Sequence, residues 1–364
     1  MKFLSLKTEG FGLDFSDRCL RVVKLKKRGR FFDLASWKDL EIEEGVIKEG
    51  EILKEERLVR HLKEAINKVE GEKLKTKYVV ASLPEKKAFL QVIRVPKMSF
   101  EELAGAIPFE AENYIPLPIE EVYLDFQMVS LFSGSAPDCF DVLIAALPKR
   151  IVDSYVYCLE KAGFVPKALE IESQSIVRAL IKNNFSPSPV FIIDFGRTRT
   201  SFIIFSGQSL RFTSSIPISS HQLTEAVAGE LKITIDEAEK LKLKYGLRSL
   251  DKNIEGKKVI SSITPWLLKM NEAAKKYIDY YHNHIGVVAA LNGGKIRKIL
   301  LCGQGANLFD LPVFMTQGLK IPVERANPWI NILPPTIKKV PKLEFNESLG
   351  YTTALGLALR AIQE

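Results

Sequence analysis

Two stretches of the chain place an aspartate between an apolar run and a polar turn. Residues 12–19 read GLDFSDRC and residues 192–200 read IIDFGRTRT, so Asp14 and Asp194 occupy equivalent positions. Tight turns present consecutive backbone N–H groups that bind anions, and Gly196 lets the backbone approach a phosphate closely. The carboxylates would repel a phosphate directly, but each can hold a hydrated Mg²⁺ beside it. Two such hairpins, one from each half, predict a clamp for the phosphates of a nucleotide.

Two further stretches carry residue types that suit the nucleoside. The stretch CGQGA at 302–306 follows an apolar run, and its glycines would allow a flat base to lie against the backbone. Glu239 and Lys242 lie three residues apart on one face of a predicted helix, where they could hydrogen-bond ribose hydroxyls. The candidate ribose and adenine residues are therefore Glu239, Lys242, Gly303, Gln304, Gly305 and Ala306.

Taken singly, each of these features also has an ordinary structural explanation. An aspartate after a strand is commonly a turn former, and a Glu–Lys pair at this spacing is commonly a solvated ion pair. A single Gly-x-Gly is weak evidence for a ligand site. The occurrence of the same hairpin in both halves, with all three elements in order, favours the nucleotide interpretation.

The elements that must position these residues also repeat in the two halves. Each copy predicts a meander of three strands, with the aspartate at the end of the first strand. The second and third strands are CLRVVKLKK and RFFDLASWKDLEI in the first copy, and TSFIIFSGQ and LRFTSSIPI in the second. Helices are predicted at 54–70, 222–245 and 264–285, and buried strands at 78–84 and at the start of 298–306.

A different pattern lies between the two copies. Strands are predicted at 88–96, 122–131 and 141–148, and helices at 99–115 and 149–163. The first of these helices opens with Ser99 as N-cap and Glu102 three residues later, which is the spacing of a capping box. Pro108 is expected to disturb this helix midway. The pattern predicts a small α+β unit inserted into the first half.

Length and composition exclude several classes of protein. The 364 residues are too many for one ordinary core, and no apolar run approaches the roughly 18 residues of a membrane-spanning helix. The four cysteines are scattered without metal-ligand spacing, so a reduced, cytoplasmic compartment is expected. The net charge is +8, but the densest basic run, KLKKRGR at 24–30, lacks interleaved aromatic residues. We therefore expect no nucleic-acid partner.

Three stretches resemble the nucleotide-binding motifs of the actin-like ATPase superfamily. Its phosphate-1, phosphate-2 and adenosine motifs correspond to 12–25, 192–205 and 299–307. Within that superfamily, the stretch VIRVPKMSFEELAGAIPFEAENYIPLPIEEVYLDFQMV at 92–129 resembles the PilM family of type IV pilus assembly proteins, relatives of the division protein FtsA. The likeness continues in 153–180 and in the closing TTALGLALR, so it covers nearly the whole chain.

The resemblance implies an α/β fold of the two-lobed actin-like ATPase (ribonuclease H-like) type with an inserted small α+β subdomain. The inserted unit would be subdomain 1C at 87–167. The other expected boundaries are subdomain 1A at 1–86, 168–188 and 345–364, and a second lobe at 189–344 whose subdomain 2B lies at about 222–290.

The resemblance also implies ATP and Mg²⁺ in the cleft, with Asp14 and Asp194 as the metal residues, each holding the ion through water. Glu172, in LEIESQS, corresponds to the polar residue that orients the attacking water, although a glutamate there can instead cap the next helix. Weak or no ATPase activity is expected, since family members act more as nucleotide-bound scaffolds than as fast enzymes. The candidate phosphate and Mg²⁺ residues are Asp14, Ser16, Asp17, Arg18, Asp194, Gly196, Arg197 and Thr198.

The first phosphate loop departs from the family pattern. Ser16 and Asp17 stand where a glycine and a small hydroxyl residue are common in the family. Asp17 adds negative charge where the phosphate is expected, unless its side chain turns outward or helps to hold the metal. Arg18 could compensate for that charge.

The resemblance implies a partner in the inner membrane. The short cytoplasmic N-terminal tail of PilN is expected in a groove near 87–167, with pilus motor ATPases as further partners, so that contact with the membrane would be indirect. The stretch INILP at 330–334 resembles the asparagine–aliphatic–leucine–proline type of tail that PilN presents, which suggests a homo-oligomer formed through this stretch. The alternative is an ordinary proline-rich connection.

Two other functions are compatible with the same fold. An FtsA-like division protein would carry a C-terminal amphipathic helix, whereas this sequence stops at ALRAIQE. A small-molecule kinase would need a substrate site with a base, and no sugar-pocket signature is visible. A nucleotide-binding pilus scaffold is therefore the function that the sequence favours.

Overall fold

The computed structural model describes residues 9–129, 139–248, 253–284, 294–336 and 340–363. These residues form two compact units, which are considered separately below. Unit 1 comprises the described residues of 9–129, 139–184 and 328–363, and unit 2 comprises those of 185–327.

Unit 1 begins with a long run of alternating strands and helices and is completed by the end of the chain. Its first part contains β1 (Phe11–Phe15), β2 (Cys19–Arg28), β3 (Phe31–Glu41), β4 (Ile47–Lys48), β5 (Glu51–Ile52), α1 (Glu55–Asn67), β6 (Glu70–Gly71), β7 (Tyr78–Leu83), β8 (Phe89–Pro96), α2 (Phe100–Ala111), β9 (Val122–Val129), β10 (Cys139–Pro148), α3 (Lys149–Lys161), β11 (Val165–Ile171) and α4 (Glu172–Leu180).

Unit 2 follows, and the chain then returns to unit 1. Unit 2 contains β12 (Ser186–Phe195), β13 (Thr200–Gly207), β14 (Ser209–Ile216), α5 (Ser220–Leu231), α6 (Ile235–Tyr245), α7 (Ile254–His284), β15 (Ile299–Cys302), α8 (Leu311–Leu319) and β16 (Val323–Arg325). The returning segment contributes α9 (Phe345–Ser348) and α10 (Thr352–Gln363) to unit 1.

The main sheet of unit 1 has the order β11-β7-β1-β2-β3-β6. The strands β1, β2 and β3 form the predicted antiparallel meander, and β7 and β11 extend the sheet as parallel strands on the other side of β1. Helix α10 packs on β1, because Gly12 leaves room for the α10 backbone; a Cβ there would lie 2.5 Å from the carbonyl oxygen of Ala354. The carboxyl ends of β1, β7 and β11 therefore share one edge of the sheet.

The sheet of unit 2 repeats the same plan in the order β14-β13-β12-β15-β16. The strands β12, β13 and β14 form the second antiparallel meander, and β15 and β16 are parallel to β12. The β13 residues Ser201–Phe205 are all buried, as expected of a strand covered on both faces. The repeated meander predicted from the sequence is thus confirmed.

The inserted part of unit 1 is a three-stranded antiparallel sheet, β8-β10-β9, covered by α2. The predicted capping box is present: the Ser99 hydroxyl accepts from the Glu102 amide at 3.2 Å, and the Glu102 carboxylate accepts from the Ser99 amide at 2.8 Å. The helix continues through Pro108 to Ala111, so the disturbance expected there does not interrupt it. Burial of Ile107 and Ala111 in the core of this unit stabilises that last turn.

The helical stretches of unit 2 differ from the predicted boundaries. The stretch 222–245 is divided at Lys232, whose left-handed φ of 56° ends α5, and Thr234 then caps α6. Helix α7 begins at Ile254, ten residues before the predicted start, and Pro265 lies inside it. Among the described residues, none of the helices combines the length and the apolar character needed to span a bilayer.

The stretch that resembles a partner tail is used within unit 1. The Asn331 side chain donates to the carbonyls of Arg178 at 2.9 Å and Ile181 at 2.8 Å, and it accepts from the Asn183 amide at 3.0 Å. The neighbouring Ile332 is fully buried. These contacts favour a structural connection over the self-association hypothesis for this stretch.

Candidate functional site

The first aspartate of the hairpin pair, Asp14, lies near the end of β1 and is only 5% exposed. Its carboxylate accepts a hydrogen bond from the Ser82 hydroxyl at 3.0 Å. Arg21, which faces it across the β1–β2 pair, brings a guanidinium nitrogen to 3.9 Å from the other carboxylate oxygen. A buried carboxylate needs such partners to stay charged. The Asp14 carboxylate is therefore held in place at the edge of the sheet.

The turn after β1 is closed by its own backbone. The Ser16 amide donates to the Cys19 carbonyl at 2.9 Å, and the Ser16 hydroxyl lies 3.4 Å from the Arg18 amide. The Arg18 guanidinium pairs with Glu44 at 2.7 Å. Arg18 therefore points toward a surface carboxylate, and a phosphate would have to compete with Glu44 for it.

The carboxylate of Asp17 is turned to a neighbouring hairpin. Its two oxygens accept hydrogen bonds from the amides of Glu49 and Gly50, each at 2.9 Å. These two residues form the turn between β4 and β5, and both have a positive φ, 52° and 76°. Two amide donors stabilise the charge that the sequence placed beside the expected phosphate. The structure thus uses Asp17 to hold this turn.

Glu172 begins α4 at the end of β11, and it is linked to the turn after β7. Its carboxylate accepts from the Glu85 amide at 3.3 Å, while the Glu85 carboxylate accepts from the Ser173 amide at 3.0 Å. The two glutamates thus bind each other's segments at the N-terminus of α4, where the helix dipole favours negative charge. Glu172 thus lies at the carboxyl end of β11, beside the end of β7 and one strand further from β1.

The second aspartate, Asp194, stands near the end of β12, where it faces Ser201 on β13 and Cys302 on β15. The Cys302 thiol lies 3.8 Å from an Asp194 carboxylate oxygen. Gly303, with a φ of 84°, passes so close that a Cβ there would lie 2.4 Å from the same oxygen. Any side chain at Gly303 would therefore displace the carboxylate.

The loop after β12 is held by the first turn of α5. The amides of Ser220 and His221 donate to the carbonyls of Gly196 at 3.0 Å and Arg197 at 3.2 Å. The Gly196 amide in turn donates to the Arg199 carbonyl at 2.9 Å. Helix N-terminal amides usually lack partners, so their use here fixes the loop. Thr198 is half-buried within the same loop.

The glycines of CGQGA are required by packing. A Cβ at Gly305 would lie 2.4 Å from the Phe195 ring, directly after Asp194 in the chain. Ala306 is fully buried, whereas Gln304 is exposed. The glycines therefore bring the end of β15 against the end of β12, and Gln304 is the member of this group that solvent or a ligand reaches.

Glu239 and Lys242 are brought together, as the sequence predicts, but Lys242 is only 2% exposed. Its ammonium donates to Glu239 at 2.7 Å, Thr224 at 2.8 Å, and both the hydroxyl at 2.9 Å and the carbonyl at 3.0 Å of Ser220. Burial lowers the pKa of Lys242, and the Glu239 carboxylate opposes that shift. These contacts occupy the ammonium, so Lys242 positions Glu239 and α5, and Glu239 remains one-third exposed.

The candidate residues collect at one edge of each sheet. In unit 1, Asp14 and the β1–β2 turn lie at the carboxyl end of β1, and Glu172 lies at the carboxyl end of β11, with β7 between the two strands. In unit 2, Asp194, the loop 196–198 and the stretch 303–306 lie at the carboxyl ends of β12 and β15. Ligands of open α/β sheets commonly bind at such edges.

Three contributing residues were missed by the sequence analysis: Ser82, Glu85 and Ser220. Glu85 follows a predicted buried strand, so a polar residue at a strand end was the available signal. Ser82 and Ser220 act through register and helix packing, for which a single sequence carries no signal.

The donor set bears on a metal ion. Among the described residues, no group of three or more His, Cys, Asp or Glu side chains is placed so that it could hold a metal ion. Mg²⁺ commonly keeps several waters and binds one or two carboxylates together with substrate phosphates. Glu85 Oε1 and Ser173 Oγ are buried and lack a hydrogen-bond partner among the described residues, so they can accept water or ligand. The residues present fit a hydrated Mg²⁺ carried by a nucleotide.

A separate cavity of about 400 Å³ lies in unit 1 at the start of α3. Its wall combines two acidic residues, two basic residues and an apolar pair. These residues are Leu117, Glu120, Glu121, Pro148, Lys149 and Arg150.

Comparison with known proteins finds a family model that matches nearly the whole chain and curated relatives that match about a third of it. The family model described as type IV pilus assembly protein PilM matches residues 12–362. The cell division protein FtsA of Helicobacter pylori is 26% identical over 123 residues, which are 34% of this chain and 25% of that protein. This chain thus spans about a quarter of the length of the curated relatives that it matches.

Solved structures share the fold. A chain of a PilM–PilN type IV pilus biogenesis complex superposes with a TM-score of 0.80 at 24% identity, covering 98% of this chain and 100% of that one. MreB 5 of Spiroplasma citri bound to AMPPNP superposes with a TM-score of 0.57 at 12% identity, covering 97% and 95%. The chain therefore has the actin-like ATPase fold that the sequence predicts.

Proposed function

The chain belongs to the PilM family of type IV pilus assembly proteins, and from this premise we propose that it is a nucleotide-binding scaffold of the pilus assembly platform. It binds ATP with Mg²⁺ and turns it over slowly or not at all. It works in the cytoplasm at the inner membrane, which it reaches through the N-terminal tail of a PilN-like protein.

The observation that carries the nucleotide proposal is the repeated hairpin. Each unit places one aspartate, Asp14 or Asp194, near the end of the first strand of a meander. Each aspartate is locked by a neighbouring strand and followed by a closed turn. MreB 5, which shares the fold, has been solved with a bound nucleotide analogue. Fixed carboxylates beside backbone turns suit a metal-bound phosphate chain.

The residues divide into three roles. Asp14 and Asp194 would hold the hydrated Mg²⁺, which would neutralise phosphate charge. Glu172 orients a water molecule. The phosphate contacts come from Ser16, Arg18, Gly196, Arg197 and Thr198, with Asp17 supporting the loop, and the nucleoside contacts come from Glu239 and the stretch 303–306, with Lys242 supporting Glu239.

Thermal unfolding with and without ATP and Mg²⁺ tests this proposal. At ligand roughly 100-fold above the dissociation constant, binding should stabilise the wild type by about 2–3 kcal/mol. Asp194→Ala should lose most of this gain, because the carboxylate that holds the hydrated metal is gone. Asp236→Ala, which removes an exposed aspartate of the same unit, should keep it. A wild type that gains nothing from any nucleotide would show that the site is degenerate.

We propose that the cavity at the start of α3 is part of the groove that receives the PilN tail. It lies beside the inserted three-stranded sheet, near which the tail is expected. Its apolar pair, Leu117 and Pro148, is flanked by charged side chains, which suits an extended peptide with alternating apolar and polar residues. The PilM–PilN complex with the same fold supports a partner of this kind.

A further inference from the structure

The hairpin formed by β4 and β5 touches the first phosphate loop at its turn. Both oxygens of the Asp17 carboxylate accept from the turn amides of Glu49 and Gly50 at 2.9 Å. Gly50 fits only because it lacks a side chain, since a Cβ there would lie 2.4 Å from Pro84. The turn is therefore held between the phosphate loop and the segment that follows β7.

The same hairpin touches the wall of the cavity through Glu51, directly after the turn. One oxygen of Glu51 accepts from Arg150 at 2.6 Å and the other from Lys87 at 3.4 Å. The hydrogen bond from Arg150, and to a smaller extent that from Lys87, holds the pKa of the Glu51 carboxyl below its usual value. Arg150 is also a cavity-lining residue. Adjacent residues therefore carry an amide bound to Asp17, that of Gly50, and a carboxylate bound to the cavity wall, that of Glu51.

Helix α3 provides a second connection between the same two places. Its first turn carries Arg150, and one turn further Tyr155 is buried to 1% exposure. The Tyr155 hydroxyl donates to the Gly50 carbonyl at 3.0 Å, and its ring packs edge-on against Phe15 with centroids 5.0 Å apart. Phe15 is the residue directly after Asp14. A shift of α3 at the cavity would therefore reach both sides of the loop.

We propose that the β4–β5 hairpin and α3 couple the cavity to the first phosphate loop, so that a ligand which takes Arg150 from Glu51 weakens nucleotide binding. The physical reason is charge. When the turn loosens, its amides no longer stabilise the Asp17 carboxylate, and an uncompensated negative charge stands beside the phosphate. Coupling free energies are reciprocal, so nucleotide weakens the cavity ligand by the same factor. This inference rests on the proposed nucleotide site and adds its regulation.

The first test is a double-mutant cycle in nucleotide affinity, measured with a fluorescent ATP analogue and Mg²⁺. Arg150→Ala and Glu51→Gln should each weaken binding about two- to fivefold; the effect is small because the Arg150–Glu51 pair is partly exposed. Asp17→Asn removes the negative charge through which the coupling acts. In the double variant, the loss of nucleotide affinity caused by Arg150→Ala should therefore be at most half of that in the wild type. Residues without a shared partner normally contribute additively, so non-additivity here demonstrates the coupling.

The matched control is Arg28→Ala, which removes a partly exposed Arg–Asp pair on the β2–β3 hairpin of the same unit. This variant should bind nucleotide as the wild type does. Additive effects of Arg150→Ala and Asp17→Asn, or equal weakening by Arg28→Ala, would overturn the proposal.

Hydrogen exchange separates this inference from the nucleotide proposal. In the ligand-free protein, Arg150→Ala should increase exchange of the Glu49 and Gly50 amides several-fold, whereas Arg28→Ala should not. Unchanged exchange would disprove the link even if ATP binds. Faster exchange in a protein that binds no nucleotide would keep the link and reject the nucleotide site.

Discussion

At the residue scale, several charged side chains that look available for a ligand are held by other parts of the chain. Asp17 binds two amides of the β4–β5 turn, and Lys242 binds Ser220, Thr224 and Glu239. Both therefore act on the candidate site through the groups that they hold. Charge and spacing alone do not distinguish a residue that contacts a ligand from one that positions its neighbour.

Glu170 is another residue of this kind, and it is also buried. Its carboxylate accepts hydrogen bonds from Ser175 at 2.6 Å, Arg178 at 2.9 Å and Arg360 at 2.7 Å. These contacts join β11, α4 and α10. Burial by itself would raise the pKa of Glu170, but the bonds from Arg178 and the others outweigh it, so the pKa lies below the usual 4.5.

We expect Glu170→Gln to lower the free energy of unfolding by about 3 kcal/mol at pH 7, because it leaves two arginines without their carboxylate. A lowered pKa in the folded state means that the stabilisation is present at neutral pH and is lost as pH falls below about 4.5. The gap between variant and wild type should therefore narrow in acid. Urea titrations from pH 7 to pH 3 measure this. The control is Glu64→Gln, which changes an exposed ion pair. A stability difference that stays constant with pH, or an equal loss of stability in Glu64→Gln, would contradict this prediction.

At the element scale, α10 is the helix that ties the end of the chain to the sheet of unit 1. It packs on β1 at Gly12 and crosses α4 at Gly356, where a Cβ would lie 1.9 Å from the carbonyl oxygen of Ser175. Arg178 on α4 also donates to the Gly356 carbonyl at 3.3 Å. The helix can approach both neighbours only because these two positions lack side chains.

We expect Gly356→Ala to destabilise unit 1 by about 1–3 kcal/mol, the usual cost of overpacking. Helix propensity alone would give the opposite sign, since alanine is about 1 kcal/mol more favourable than glycine in a helix. Gly105→Ala in α2 is the matched control, because no atom lies within 4 Å of its Cβ position; it should stabilise. Thermal unfolding of both variants decides between packing and propensity, and a stabilised Gly356→Ala would reject the close crossing.

At the scale of the whole molecule, each unit carries the same meander extended by parallel strands, and each carries one aspartate-tipped hairpin. The inserted sheet belongs to unit 1 and has its own core between α2 and the strands β8 to β10. The stretch 98–148, which includes α2, β9 and β10 but not β8, contains nine Asp or Glu residues and no Lys or Arg, although the chain carries a net charge of +8. This part of the insertion is therefore more acidic than the rest of the chain.

We expect a synthetic peptide of the PilN N-terminal tail to bind the full chain, and Leu117→Asp to weaken binding at least about tenfold. The reason is that a charge in the cavity removes apolar contact worth roughly 1.5–3 kcal/mol per buried side chain. Leu268→Asp, at an exposed leucine of α7, should bind as the wild type does. Titration calorimetry measures the affinities. No binding by the wild type would reject the partner, and full binding by Leu117→Asp would reject the cavity.

Much of the fold was predictable from the sequence because its signals are local. Alternating and continuous apolar runs predicted both meanders, and the Ser99–Glu102 spacing predicted the start of α2. The motifs predicted the superfamily, which the family model and the shared fold confirm. A local signal was also overridden: Pro108 was expected to disturb α2, but the helix continues through it, and its apolar face is buried.

The sequence by itself determined the strands, the repeated hairpins and the residue types at their ends, since these depend on period and turn chemistry within a few positions. Only the tertiary structure decided what those residues touch. Asp17 meets amides more than thirty residues away, Glu172 meets Glu85, and the glycines at 303 and 305 meet the end of β12. Such contacts depend on which strands become neighbours and how closely their backbones approach, and no spacing along the chain encodes that.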